Sequence, residues 1–266
     1  MIANNDIPGG GLPPFWQIAD NPAPGLGWPK YGAVHWIWIA AGAAAIAAFL
    51  TLFCKLGHKG RRTMMWIVVA LQLLNEVDTQ IMLIATGQWA LADLPLQLCS
   101  LTEFIFLAHV IHPSKSLSAV VYGVGYPAAA LGLALPTWSV LPVWNFASIH
   151  SFVFHFLMIL YTSMVLADGY RPRFADLKGA ALPLAAGLIG IFVFNKLSRT
   201  DFLYMNGGKG VGFLETLVGV FGEYGYLFIF PVLLAVIWTA MFLPFEIYAR
   251  KKEKRERKEK TTTIRL

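Results

Sequence analysis

Long apolar segments recur along the chain, and their lengths predict helices that cross a lipid bilayer. A helix needs about 20 residues to span a hydrocarbon core of about 30 Å. The shortest of the apolar segments, at residues 95–112, also contains an acidic residue, Glu103. The pattern predicts an all-α polytopic membrane protein with seven transmembrane helices, near residues 34–55, 63–87, 95–112, 117–138, 147–168, 179–198 and 223–248.

Two segments of different composition flank this predicted transmembrane domain of residues 34–248. Residues 1–33 contain six Pro and six Gly, with Phe15, Trp16 and Trp28 among them. Aromatic side chains concentrate where lipid meets water, so these residues predict an arm at the membrane interface. Residues 249–266 form a basic tail, which we expect to bind anionic lipid headgroups. Residues 199–222, between the sixth and seventh helices, are rich in glycine and are predicted to form an external loop.

The charge of the chain agrees with a membrane protein. Charged residues make up 14% of the sequence, whereas soluble domains carry about 25%. The net charge of +6 does not predict nucleic-acid binding, because nine of the 21 Lys and Arg residues lie in the tail. Seventeen of the 21 would lie on one side of the membrane. The positive-inside rule then predicts an external N-terminus and a cytoplasmic C-terminus, in the plasma membrane of a prokaryote.

Polar residues within the second helix predict an interior face. Gln72, Asn75, Glu76, Thr79 and Gln80 follow helical spacing and share one side of the helix. Polar groups facing lipid are costly, so this stripe is expected to face the bundle interior or a water-filled cavity.

A second set of polar residues lies in the third, fifth and sixth helices. Cys99 and Glu103 are four residues apart, and so are Ser151 and His155, which places each pair on one helical face. At 1.5 Å per residue, Cys99 lies about 6 Å below the predicted outer end of its helix, and Glu103 and His155 about 12 Å. Asn195 lies near the same end of the sixth helix. We expect these groups to occupy the outer half of the membrane.

This combination of residue types favours nucleophilic catalysis. A histidine within hydrogen-bond reach of a thiol can take its proton and later return it, and a third group orients the imidazole. Cys99, His155 and one of Glu103, Glu76 or Asn195 could fill these roles. At the depth of lipid ester bonds, the expected reaction is acyl transfer through an acyl-enzyme that releases the acyl group to an alcohol or, as a lipid hydrolase, to water, with no metal or cofactor. Gln97, Glu76, Gln80, His150, Ser151 and Asp201 are the candidate substrate contacts.

The segment from Leu94 to Cys99 resembles the Leu-Pro-…-Cys signature of the YwaF family of integral membrane proteins. That family is similar to transmembrane protein 164 of animals, a cysteine-dependent phospholipid acyltransferase. The segment from His155 to Pro172 resembles the family's histidine-containing helix and the loop that follows it. The resemblance implies that Cys99 is the acyl-accepting nucleophile and that His155 is its base. Asn195 and Asp201 resemble the family's Asn…Asn-Tyr pattern, with Asp201-Phe202 in place of Asn-Tyr.

Two other classes of protein are compatible with the sequence. A metal-dependent amidase of the ceramidase type needs about three histidines on one zinc, and His150 and His155 are the only pair at similar predicted depth. A transporter or sensor would instead use the polar stripe of the second helix as a path. Broken helices near the middle of the membrane would favour a transporter, and Gly123, Gly125 and Pro127 allow such a break in the fourth helix.

Overall fold

The structure is a computed structural model that describes residues 11–208 and 212–264, with side chains described as far as residue 256. These residues form helices joined by turns, without a β-strand among them, so the all-α prediction is confirmed. The α-helices are α1 (Ala33–Lys55), α2 (His58–Ala85), α3 (Leu98–Ile111), α4 (Lys115–Ala134), α5 (Phe146–Ala167), α6 (Lys178–Ser198), α7 (Gly212–Gly225) and α8 (Ile229–Ile264).

Six helical segments of the described chain are long and apolar enough to cross a membrane, which makes the protein a multi-pass membrane protein. The predicted third span is shorter than expected, because α3 contains 14 residues, equivalent to about 21 Å. Pro95 lies before the helix, and Leu94 is extended, as is usual for a residue that precedes proline. Helix α3 begins only at Leu98, so Cys99 is its second residue. The count of seven spans and the orientation of the termini stay predictions.

The prediction of a loop at residues 199–222 was wrong for the second half of this segment. Helix α7 occupies Gly212–Gly225, because an apolar run follows the glycines. The helix is kinked at Gly222, whose φ of 78° favours glycine. A 3₁₀ turn at Tyr226–Phe228 then leads into α8, which continues as a helix to Ile264. Lys209 and Gly210 of the predicted loop, and the end of the predicted tail, lie outside the described residues.

The chain divides into two compact units, and the first contains Met1–Pro113 and Val124–Gly169. Its central element is α5, against which α1, α2 and α3 all pack. The second half of α4 also belongs to this unit. Helix α4 continues through Pro127 without interruption, so the break that would have favoured a transporter does not occur at this position.

The N-terminal arm is attached to the start of α5. Asn145 caps this helix by accepting from the backbone N–H of Ser148, and its amide donates to the carbonyls of Pro14 and Gln17 at 2.7 and 2.9 Å. Trp16 is partly exposed, and the location of the arm at the membrane interface stays a prediction. Trp28 is buried instead, because its ring packs among Leu133, Trp138, Leu141 and Phe152 in the core of the first unit. The prediction that Trp28 lies at the membrane interface was therefore wrong.

The second unit contains Ser114–Gly123 and Tyr170–Leu266. In it, α8 is joined to the first half of α4 by two hydrogen bonds, from Trp238 Nε1 to the Gly123 carbonyl and from Tyr122 Oη to the Met241 carbonyl. Arg173 forms an ion pair with Glu246 at 2.9 Å and holds the turn before α6 against α8.

Candidate active site

Cys99 lies in the first turn of α3 and is half-buried. Its Sγ lies 3.8 Å from the carbonyl oxygen of Ala128 on α4, a distance at which a thiol donates a weak hydrogen bond. Thr102 donates a hydrogen bond to the carbonyl of Cys99 and thereby fixes the first turn of the helix. The thiol therefore points at the backbone of α4.

His155 lies on α5 with 7% of its surface exposed. Its Nδ1 lies 2.6 Å from the carbonyl oxygen of Ser151, one turn earlier in the same helix. A carbonyl can only accept, so Nδ1 carries the hydrogen and Nε2 carries the lone pair of the neutral ring. The Trp138 ring stacks on the imidazole, with centroids 5.4 Å apart and an angle of 25° between the planes. The imidazole is thus oriented by a backbone bond and an aromatic ring.

Helix α4 brings these two groups to the same level. A Cβ atom at Gly132 would overlap the His155 ring at Nε2, so the ring lies directly against the α4 backbone there. In an α-helix the carbonyl of residue 128 points towards the amide of residue 132. The Cys99 thiol at the Ala128 carbonyl and the His155 ring at Gly132 therefore contact the same turn of α4. Nε2, the nitrogen with the lone pair, is the ring atom nearest to the position that a Cβ atom of Gly132 would occupy.

The polar stripe of α2 faces the neighbouring helices, as predicted. Gln72 is fully buried, whereas Leu71, Leu74 and Val77 on the opposite side are about half exposed. Near one end of the stripe, the Gln80 amide donates to Glu76 at 2.8 Å and to the Asp93 carbonyl at 2.7 Å. Burial raises the pKa of the Asp93 carboxyl above its ordinary value.

Glu76 also connects the stripe to α3. Its second carboxylate oxygen accepts from the Ser100 hydroxyl at 3.4 Å. Ser100 is the neighbour of Cys99 in sequence, so the stripe reaches the helix that carries the thiol. Glu103 is fully buried one turn further along α3, and both of its carboxylate oxygens lack a hydrogen-bond partner among the described residues.

The remaining candidates in the first unit lie close to these residues. Asn75 donates to the carbonyl of His150 at 3.3 Å, while the Nε2 of His150 is buried without a partner in the described chain. Gln97 occupies the N-cap position of α3, and its carbonyl accepts from the Leu101 amide. Ser151 contributes its carbonyl to His155, so neither Glu103 nor Glu76 is bonded to Nδ1 of that ring.

Asn195 and Asp201 belong to the second unit and hold a turn there. The Asn195 Oδ1 accepts from the Thr200 hydroxyl and from the Phe202 backbone amide, and its Nδ2 donates to the Phe202 carbonyl. Asp201 accepts from the backbone amide of Asn206. The side chain of Asn195 therefore has a structural task in closing this turn after α6.

A family model matches residues 30–242 of the chain, and its description is the TMEM164 family. The match covers most of the sequence and includes both Cys99 and His155. The chain belongs to the TMEM164 family. No curated protein and no solved structure matches it. The predicted resemblance to transmembrane protein 164 is thus confirmed at the level of the family, and the YwaF-type label stays a prediction.

Sequence reasoning missed the residues that position His155 in this TMEM164-family chain. Gly132 allows the ring to reach the α4 backbone, and Trp138 covers the ring face. One signal for Gly132 was available, since Gly125, Ala128 and Gly132 form a line of small residues at helical spacing. Such a line predicts close approach by a neighbouring helix but does not identify which side chain approaches.

The described part of this TMEM164-family chain gives little support to a metal-dependent amidase. Among its residues, no three His, Cys, Asp or Glu side chains lie close enough together to hold one metal ion. A catalytic zinc site needs about three such protein ligands. The donor set that the ceramidase-type alternative requires is therefore not formed by the described residues.

Proposed function

We propose that this protein is a membrane-embedded lipid acyltransferase that uses Cys99 as nucleophile and His155 as general base. The observation that carries the proposal is that the Cys99 thiol and the His155 ring contact the same turn of α4. The bond from Nδ1 to the Ser151 carbonyl adds to this, because it leaves the lone pair on Nε2, the ring atom nearest to the Cβ position of Gly132. Membership of the TMEM164 family is consistent with the proposal.

The reaction would proceed in two half-reactions. In the first, Sγ attacks the carbonyl carbon of a phospholipid ester while the thiol proton passes to Nε2. The carbon–oxygen bond breaks, and the proton passes to the departing oxygen to give a lysophospholipid. In the second, a hydroxyl group attacks the thioester, its proton passes to Nε2, and the carbon–sulfur bond breaks. Sγ recovers the proton, and an ester or a free fatty acid is released.

The surroundings of the site favour transfer to a lipid over hydrolysis. His155 is covered by Trp138, which in turn packs with Trp28 of the N-terminal arm. An apolar cover of this kind limits the access of water to a thioester. We infer that the site opens towards the outer leaflet of a plasma membrane, with the N-terminus outside and the basic tail on anionic headgroups of the inner leaflet.

The proposal is tested by measuring the mass of the purified protein after incubation with phosphatidylcholine vesicles. The variants carry Cys54→Ser as well, because Cys54 is exposed and its thiol would otherwise be a second possible site of acylation. We expect one acyl adduct at Cys99, which the Cys99→Ser variant lacks and which forms at least about 100-fold more slowly in His155→Ala.

His112→Ala is the matched control for the loss of a histidine, since His112 is exposed at the end of α3. The control should acylate at the unmodified rate. An adduct that forms equally fast without His155, or that forms on a residue other than Cys99, would refute the mechanism.

A further inference from the structure

Two fully buried polar side chains, one on α2 and one on α3, lack hydrogen-bond partners among the described residues. Gln72 and Glu103 each have 0% of their surface exposed. Both oxygens of Glu103, and both the oxygen and the nitrogen of the Gln72 amide, lack a partner among the described residues. Buried polar groups are nearly always paired, and each unpaired one is destabilising. Four such atoms on facing helices therefore need an explanation.

The contacts between the two helices place Gln72 and Glu103 at the same level. Glu76 on α2 accepts from Ser100 on α3 at 3.4 Å, and Arg62 donates to the Val110 carbonyl at 3.3 Å. The helices are thus antiparallel, and their facing positions are fixed at two points. Gln72 lies one turn from Glu76 in one direction, and Glu103 lies about one turn from Ser100 in the matching direction. The two unpartnered side chains therefore lie at the same level of the two helices.

Glu103 and Cys99 also project from nearly the same side of α3. Residues of an α-helix follow one another at about 100°. Viewed along α3, Glu103 is then about 40° from Cys99 and about 60° from Ser100, so it lies between them. Long side chains of a helix lean towards its N-terminus, which brings the Glu103 carboxyl back towards the turn of Cys99. Glu103 is thereby adjacent to the proposed nucleophile.

We propose that Gln72 and Glu103 form a hydroxyl-binding site that holds the acyl acceptor of the second half-reaction. Three of the four orphaned atoms are oxygens that accept hydrogen bonds, and the fourth is an amide nitrogen that donates. A hydroxyl group supplies one donor and two acceptor positions, and so pairs with both side chains. The hydroxyl belongs either to a lysophospholipid or to water. This assignment rests on the proposed acyl transfer.

The step that the site serves is the attack on the thioester. The hydroxyl oxygen forms a bond to the acyl carbon as the carbon–sulfur bond breaks, its proton passes to His155, and the Cys99 sulfur then takes this proton. The site residues neither gain nor lose an atom. Their contribution is to hold the hydroxyl within reach of the acyl carbon, which can raise the rate of such a step by several orders of magnitude.

The test separates the two half-reactions in Gln72→Met, Glu103→Met and Glu103→Gln variants with Cys54→Ser. In one arm, lysophosphatidylcholine is added to the acylated protein and the phosphatidylcholine formed is measured. In the other arm, buffer alone is added and the free fatty acid released is measured. We expect both Met variants to slow deacylation about 10-fold more than acylation, the effect of one lost hydrogen bond. Glu103→Gln keeps hydrogen-bonding capacity and should recover most of the rate. Thr162→Val is the control, because Thr162 is equally buried and unpartnered but lies on α5.

Comparison of the two arms identifies the source of the hydroxyl and tests the proposal. Loss in the lysophosphatidylcholine arm alone assigns the site to the lipid acceptor, and loss in the buffer arm assigns it to water; either result supports the proposal. A normal adduct with an unchanged ratio of deacylation to acylation in the Met variants overturns the hydroxyl site alone. Absence of any adduct in the unmodified protein overturns the proposed function and this site with it.

Discussion

A single methyl group at Gly132 tests whether close packing of α5 on α4 positions His155, the proposed base. In Gly132→Ala, the new Cβ would overlap three atoms of the His155 ring, and the nearest of them is Nε2. The ring has little freedom to retreat, because Trp138 stacks on it and the Ser151 carbonyl holds Nδ1. We therefore expect the substitution to displace Nε2 while leaving Cys99 untouched.

The expected magnitudes separate an effect on stability from an effect on the reaction. Alanine favours a helix over glycine by about 1 kcal/mol, whereas overpacking a core costs about 1–3 kcal/mol. The two terms partly cancel, so the free energy of unfolding should fall by no more than about 2 kcal/mol. A displacement of about 1 Å in a catalytic group lowers the rate about 100-fold. The loss of acylation should therefore greatly exceed what the loss of folded protein explains.

The assay follows the acyl adduct of Cys99 by mass over time, beside thermal unfolding in the same vesicles. Gly190→Ala is the matched control, because it lies in a helix and its new Cβ would meet no atom within 4 Å. The control should acylate at the unmodified rate and be slightly more stable. If Gly132→Ala also acylates at that rate, the contact between His155 and α4 has no part in catalysis, and the reasoning from this contact is refuted.

Three further predictions concern the supports of the site and the alternative chemistry. Asn145→Ala removes the cap of α5 and leaves two carbonyls of the arm without their hydrogen-bond donor. Thermal unfolding should show that the free energy of unfolding falls by about 2–4 kcal/mol. A fall below about 0.5 kcal/mol would contradict the anchoring role. Asn195→Ala breaks three hydrogen bonds of the turn after α6. A protease should therefore cleave near residues 199–206 faster than in the unmodified protein. An unchanged cleavage pattern would argue against a structural role for Asn195. A chelator of divalent metals should leave adduct formation unaltered, whereas loss of the adduct would revive the amidase alternative.

The sequence allowed the buried face of α2 to be predicted. The stripe on α2 follows the 3.6-residue period, and its members are indeed less exposed than Leu71, Leu74 and Val77 on the other side. Periodicity succeeds here because lipid excludes polar groups from one side of the helix and tolerates them only on the other. The same reasoning placed Cys99, Glu103 and His155 in one part of the molecule.

Backbone conformation at the helix ends was less predictable. Glycines suggested a loop as far as residue 222, but the apolar residues after Gly212 continue as a helix until Gly222 adopts a positive φ. Trp28 was assigned to the interface from its glycine-rich neighbours, whereas its ring is buried beside Phe152. In both places local composition was outweighed by packing against residues distant in sequence, which composition alone does not contain.

The group that orients His155 shows why an analogy with soluble enzymes failed at this point. Soluble triads use a separate carboxylate or amide to hold the imidazole, so the sequence suggested Glu103, Glu76 or Asn195. In the structure, Nδ1 bonds to the Ser151 carbonyl of its own helix. A backbone carbonyl one turn away is always available in a helix. Its use avoids burying a charged carboxylate next to the ring, which costs several kcal/mol in an apolar environment. With the Nδ1 bond supplied by the backbone, the ring position depends on what lies against its faces and edge. Gly132 and Trp138, which carry no ionisable group, therefore become the residues on which the proposed base depends.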